Sequence, residues 1–124
     1  MDTALWILQI LLALAFVAAG LNHATQRDKA SGRMSWMLAV PKPLLTTIGI
    51  LEVAGAAGLV LPPATGIALW LTPLAAALLA LLMVFAAVFH LRREGEGMLI
   101  APNLVLGVLA AFVAYGRLAL APYV

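Results

Sequence analysis

The chain has 124 residues, of which 65% are hydrophobic and only 10% charged. A soluble domain of this size carries about 25% charged residues, so a water-exposed globule is excluded. The net charge of +2 comes from a few scattered cations with no interleaved aromatics, which argues against nucleic acid as a partner, and the absence of cysteine excludes chemistry that needs the protein's own thiols.

The first apolar segment runs from Thr3 to about Asn22. Asp2 stands where a signal peptide would carry positive charge, and the run is long for a signal-peptide core, so it reads as an uncleaved first span. A loop with Arg27, Asp28, Lys29 and Arg33 follows. Met34 to Val40 (MSWMLAV) is too short to span and is expected to lie on, or dip into, the membrane interface. The second segment starts at Pro43, holds Glu52 as its one charge, and is predicted to stop at Pro62-Pro63.

The third segment is predicted over 66–91. It starts either near Ala64, with a kink at Pro73, or at Thr72-Pro73, where an N-cap residue precedes a proline. It ends at His90-Leu91, before Arg92 and Arg93; Glu94 and Glu96 complete what reads as a solvated loop. The fourth segment runs from Pro102-Asn103 to about 119. Each segment supplies the ~20 apolar residues that a ~30 Å hydrocarbon layer requires. None alternates polar and apolar residues as a membrane barrel does. The predicted fold is all-α, an up-down four-helix transmembrane bundle formed by residues 1–124 as a single domain, with spans of about 3–22, 43–61, 66–91 and 102–119. Trp6, Trp36, Trp70 and Tyr115 lie near span ends, as interfacial anchors do.

Cations set the expected orientation. Arg27, Lys29, Arg33 and Lys42 lie in the first loop and Arg92 and Arg93 in the third, so those loops are predicted to be cytoplasmic and both termini to face outward.

Following each helix at alternating spacings of three and four residues collects the polar groups onto glycine- and alanine-rich stripes. Helix one gives Gln9, Ala13, Phe16, Gly20 and His23; helix two gives Leu45, Gly49, Glu52, Ala56 and Leu59. Helix three gives Ala76, Ala80, Met83, Ala87 and His90; helix four gives Asn103, Gly107, Ala110, Ala114 and Arg117. Small residues mark the faces where membrane helices approach each other, so the polar groups are predicted to face inward. His23, His90 and Asn103 share one end of the bundle. Glu52 lies nine residues beyond Pro43, about 13 Å deeper at 1.5 Å per residue. Side chains lean toward a helix's N-terminus, which tilts both histidines inward and Glu52 back toward them. A pocket of Glu52, His23, His90 and Asn103, with Gly49 and Met83 beside them, is the candidate ligand site.

Glu52, His90 and His23 are its candidate catalytic groups. A carboxylate inside a span costs roughly 2.5–3.5 kcal/mol on insertion scales and marks a functional position more often than not; the plainer alternative is a protonated acid in one interhelical hydrogen bond. Each histidine alone reads equally well as a helix-end residue, and Asn103 as a helix-start residue. As metal ligands the two histidines and Glu52 are an incomplete set, with no HxxxH or HExxH motif. Arg117 is expected to snorkel to the outer interface, with Gln9 within reach of it.

Gly20-Leu21-Asn22-His23, Met34-Ser35-Trp36 with Pro41, and Ile48-Gly49-Ile50-Leu51-Glu52-Val53-Ala54-Gly55 with Gly58-Leu59 form a recognisable series. His90-Leu91-Arg92-Arg93-Glu94, Pro102-Asn103 and Tyr115-Gly116-Arg117 continue it. With these motifs the chain resembles the DoxX-like family along nearly its whole length. The resemblance implies a four-helix bundle in the bacterial cytoplasmic (inner) membrane. It also implies a link to respiratory redox partners, since the family is named for a subunit of a thiosulfate:quinone oxidoreductase.

Three functions compete. The first is a redox-associated subunit that binds a quinone-like amphipathic molecule around Glu52. The motifs encode no other cofactor, and electrons would come from a partner protein or from the ligand. The second is a small proton-coupled transporter or exporter. The third is a structural or assembly protein whose polar residues only hold the bundle together. A bundle this small is also a candidate homodimer, with the lipid bilayer as its surroundings. The residues alone do not separate a catalyst from a binder.

Overall fold

The structure, a computed structural model, describes residues 1–123. Four long helices form it: α1 (Asp2–Thr25), α2 (Lys42–Thr65), α3 (Leu71–Leu91) and α4 (Ile100–Tyr115), the last prolonged by a π-helical turn, Gly116–Leu120. There is no strand among the described residues. All four helical segments are long and apolar enough to cross a membrane, and the chain is a multi-pass membrane protein. α1 with α2 and α3 with α4 form two close antiparallel hairpins. α2 meets α3 less closely, and α1 meets α4 to close the ring.

The predicted stripes face inward. Gln9, Phe16 and Gly20 of α1 are buried, as are Leu45, Gly49, Glu52, Ala56 and Leu59 of α2. Met83, Ala87 and His90 of α3 and Gly107, Ala110 and Ala114 of α4 join them. Ile7, Leu11, Leu14, Ile50, Leu51, Leu78, Phe85, Val105 and Val108 point outward. Lipid tails are as apolar as leucine, so burying leucine gives no drive to assemble these helices; close packing and interhelical hydrogen bonds do. The closest approach joins Gly20 and Gly49. A Cβ on Gly20 would stand 2.5 Å from the carbonyl oxygen of Gly49, and one on Gly49 would strike the carbonyl oxygen of Gly20.

α2 departs from the expected end at Pro62-Pro63. It runs through both prolines to Thr65 and closes on Gly66, whose φ of 73° places it in the left-handed region. The Gly66 N–H donates to the carbonyl of Pro62 at 2.8 Å. Prolines lack the N–H groups that would satisfy the carbonyls four residues back, those of Gly58 and Leu59. Other helices supply the donors: Thr72 Oγ1 donates to Gly58 O at 3.0 Å, and Gln9 Nε2 to Leu59 O at 2.6 Å. Thr72 can do this because α3 starts at Leu71, with Thr72-Pro73 in its first turn, rather than at 66.

Arg117 corrects a second expectation. It is buried instead of snorkelling, because Gln9 meets it inside the bundle while Asp2 and the end of the chain cover it. Its Nε donates to Gln9 Oε1 at 2.7 Å and its Nη1 to Asp2 Oδ1 at 2.6 Å and Ala121 O at 3.0 Å. The guanidinium lies 4.0 Å from the centre of the Tyr123 ring. Gln9 thus links the arginine cluster to the proline-freed carbonyl of α2.

Thr72→Val is predicted to destabilise the protein in detergent by about 1–3 kcal/mol, the cost of an unsatisfied buried acceptor. In a Pro62→Ala background, where residue 62 regains an N–H for Gly58 O, the same change should cost much less; unfolding titrations of the cycle measure the difference. Gly49→Leu is predicted to cost at least about 1–3 kcal/mol by overpacking, read as a fall in thermal midpoint, because the two nearest atoms, Gly20 O and Ala24 N, are backbone and cannot yield.

Candidate functional site

The contact between Gly20 and Gly49 positions the most buried ionisable pair. His23 lies one turn beyond Gly20 toward the end of the bundle, and Glu52 one turn beyond Gly49 toward its middle. Their backbones are therefore offset by about 9 Å along the helices. The inward lean of His23 and the outward lean of Glu52 close that gap, and His23 Nδ1 meets Glu52 Oε1 at 2.5 Å. Glu52 is 1% exposed.

The expected interfacial segment forms a 3₁₀ helix, Gly32–Ala39, that folds across the end of the bundle. Its Met37 is buried against Val40 and Leu45. Arg27 fastens its far side, with Nε donating to Val40 O at 2.8 Å and Nη2 to Leu38 O at 3.2 Å. Lys42 pairs with Asp28 at 2.8 Å, which holds the Asp28 carboxyl below its usual range. Trp36 is consequently more than an anchor: it stands between the two imidazoles. Its ring centre lies 5.3 Å from that of His23 and 5.0 Å from that of His90, edge-on to both. Phe89 packs against Trp36 and His90 in turn.

His90 has its own carboxylate. Gly95, at φ 82°, turns the chain back, and Glu96 Oε1 meets His90 Nδ1 at 2.8 Å while Arg93 Nε donates to Glu96 Oε2 at 2.5 Å. Glu96 is therefore part of the site and not a free loop charge. Partial burial pushes its carboxyl up, but the hydrogen bonds from Arg93 and His90 outweigh this and hold it below its ordinary value of 4.5.

His23, Trp36, Glu52, Phe89 and His90 line a cavity of about 380 Å³, within the range of small-molecule sites, and Glu96 supports His90 from outside it. Of the six residues predicted for the pocket, five line it: His23, Glu52, His90, Asn103 and Met83. Gly49 does not; it belongs to the backbone contact with Gly20 and Ala24 and acts on the pocket only by setting the helix spacing. Asn103 Nδ2 donates one hydrogen bond to Leu99 O at 2.8 Å, which leaves its second N–H and its amide oxygen for a ligand. The remaining wall is mostly apolar, with Ile48, Leu82, Phe85 and Leu106. Among the described residues, no three histidine, aspartate or glutamate side chains come together to hold a metal ion. The two histidines engage separate carboxylates.

The profile of the DoxX-like family matches residues 7–113. The chain belongs to the DoxX-like family. No curated protein and no solved structure matches it. In this DoxX-like protein the matched stretch contains every polar residue of the cavity together with Glu96, while Asp2, Arg117 and Tyr123 lie outside it.

Trp36 and Glu96 were not legible as site residues. Trp36 had the position of an interfacial anchor, and Glu96 sat among charges that a loop ordinarily exposes. The available clue for Glu96 was Gly95, a turn residue placed to bring a carboxylate back toward the end of α3.

A carboxylate held below its ordinary value stabilises the fold above that value and loses this contribution as pH falls through the lowered one. The Glu96 contribution is therefore expected in full above pH 4.5 and to fade in more acidic solution. Thermal melts across this range should show the difference between wild type and Glu96→Gln shrinking with acidification.

Proposed function

We propose that the protein binds the headgroup of a quinone-like amphipathic molecule in this cavity and exchanges protons with it as a membrane subunit associated with a redox partner. The carrying observation is the pairing of buried Glu52 with His23 on the wall of a largely apolar cavity shared with His90.

The chemistry follows from the pairing. An ionised Glu52 accepts a hydrogen bond only from the imidazole tautomer with its proton on Nδ1, which leaves Nε2 of His23 as an acceptor. Glu96 imposes the same choice on His90. Two acceptor nitrogens suit a quinol, which presents two hydroxyls on a flat ring. A proton leaving the quinol is taken by Nε2, and the carboxylate stabilises the resulting imidazolium. The oxidised quinone accepts hydrogen bonds from the protonated rings. The rings of Trp36 and Phe85 flank a flat headgroup, and Asn103 orients it, accepting from a quinol hydroxyl through its amide oxygen or donating to a quinone carbonyl through its second N–H. Electrons pass to or from a partner protein. In this reading the chamber end faces the cytoplasm in a bacterial inner membrane, an orientation that the cations of loops one and three support.

A transporter needs a path to the far side. Phe16, Leu59, Leu79 and Val113 fill the bundle between the cavity and the Arg117 end, which favours a binding role.

In nanodiscs, a soluble benzoquinone should quench Trp36 fluorescence saturably against a Trp6→Phe, Trp70→Phe background. Glu52→Gln and His23→Asn should each weaken binding by about tenfold or more, equivalent to about 1.4 kcal/mol. Non-saturable quenching, or an unchanged affinity in Glu52→Gln, would reject the proposal.

A further inference from the structure

A second cavity of about 370 Å³ lies between α2 and α3, walled only by apolar side chains. It is a groove open to the lipid: Leu74, Leu78, Leu81 and Phe85 along α3 and Leu51 on α2 are all exposed. It exists because α2 and α3 approach each other less closely than the partners within either hairpin. Ala54 on α2 lines it without filling it. Along α3 it runs from Leu71 to Phe85, about 21 Å at 1.5 Å per residue.

The groove and the polar chamber share two walls, Leu82 and Phe85. Leu82 and Phe85 are thus all that stands between a head beside Glu52 and His90 and the apolar groove. The groove opens sideways into the hydrocarbon. Its length suits an extended chain and not a compact group.

We infer that the chamber's ligand carries a long linear hydrocarbon tail that passes between Leu82 and Phe85 and lies in the α2–α3 groove, so that it enters laterally from the lipid. The inference rests on the chamber being a headgroup site. Moving a tail from lipid into the groove gives no hydrophobic gain. The gain is the close contact of a chain with a rigid channel, together with restriction of the head to one orientation.

The test uses protein in phosphatidylcholine nanodiscs, a tail-free dimethoxy-methyl-benzoquinone and its decyl-tailed counterpart. Affinities are referred to quinone concentration in the bilayer, so that partitioning cancels between variants. In wild type the decyl compound should bind about tenfold more tightly. Ala54→Trp and Leu78→Trp each place an indole in the groove from a lipid-exposed position outside the chamber. Each should cut the tail's advantage to about threefold or less while leaving tail-free binding unchanged. An equal advantage in wild type and both variants, as expected if bulk lipid alone occupies the groove, overturns the inference. So does tail-free binding with no tail advantage in wild type, in which case the headgroup reading survives. If neither compound binds wild type, both fall together.

Discussion

The reciprocal contact of Gly20 and Gly49 is the constraint on which the candidate site depends. Two helix backbones touch where each meets the other's carbonyl oxygen, and no larger residue fits at either position. With α1 and α2 fixed at this distance, a histidine and a glutamate one turn away in opposite directions meet through the natural lean of helical side chains. A wider spacing would leave Glu52 as a solitary carboxylate at membrane depth, a costly arrangement. The same contact thus holds the hairpin together and makes its central acid tolerable.

A broader rule accounts for the rest of the interior. Inside a bilayer no water satisfies a backbone carbonyl, so each freed acceptor must find a protein donor. The two consecutive prolines of α2 release two carbonyls, and α1 and α3 each answer one, through Gln9 and Thr72. Gln9 then passes the connection to Arg117, which Asp2 neutralises. The polar residues at the Arg117 end bond to one another, whereas those at the opposite end line a cavity. Physical chemistry of one kind therefore serves structure at one end of the molecule and a candidate binding site at the other.

Trp36 and Glu96 connect the loops to the site. Neither belongs to a span, yet one separates the two imidazoles and the other fixes the second of them. Loops one and three thereby shape the mouth of the cavity as well as carrying the charges that bias orientation. The groove along α2 and α3 adds a route from the lipid to the same chamber.

Four apolar segments, their inward stripes and the turning of His23, Glu52, His90 and Asn103 toward one end of the bundle were legible from residue order, because helical periodicity and membrane thickness are local constraints that one chain expresses alone. The end of α2, the burial of Arg117, the packing duty of Gly49 and the places of Trp36 and Glu96 were not. Each depends on a partner from another part of the chain: Gln9 and Thr72 for the prolines, Asp2 for the arginine, Gly20 for Gly49, and the two histidines for Trp36 and Glu96. Such pairings arise when helices settle at particular distances and angles, and a pattern read along a single helix carries no information about what will stand across from it.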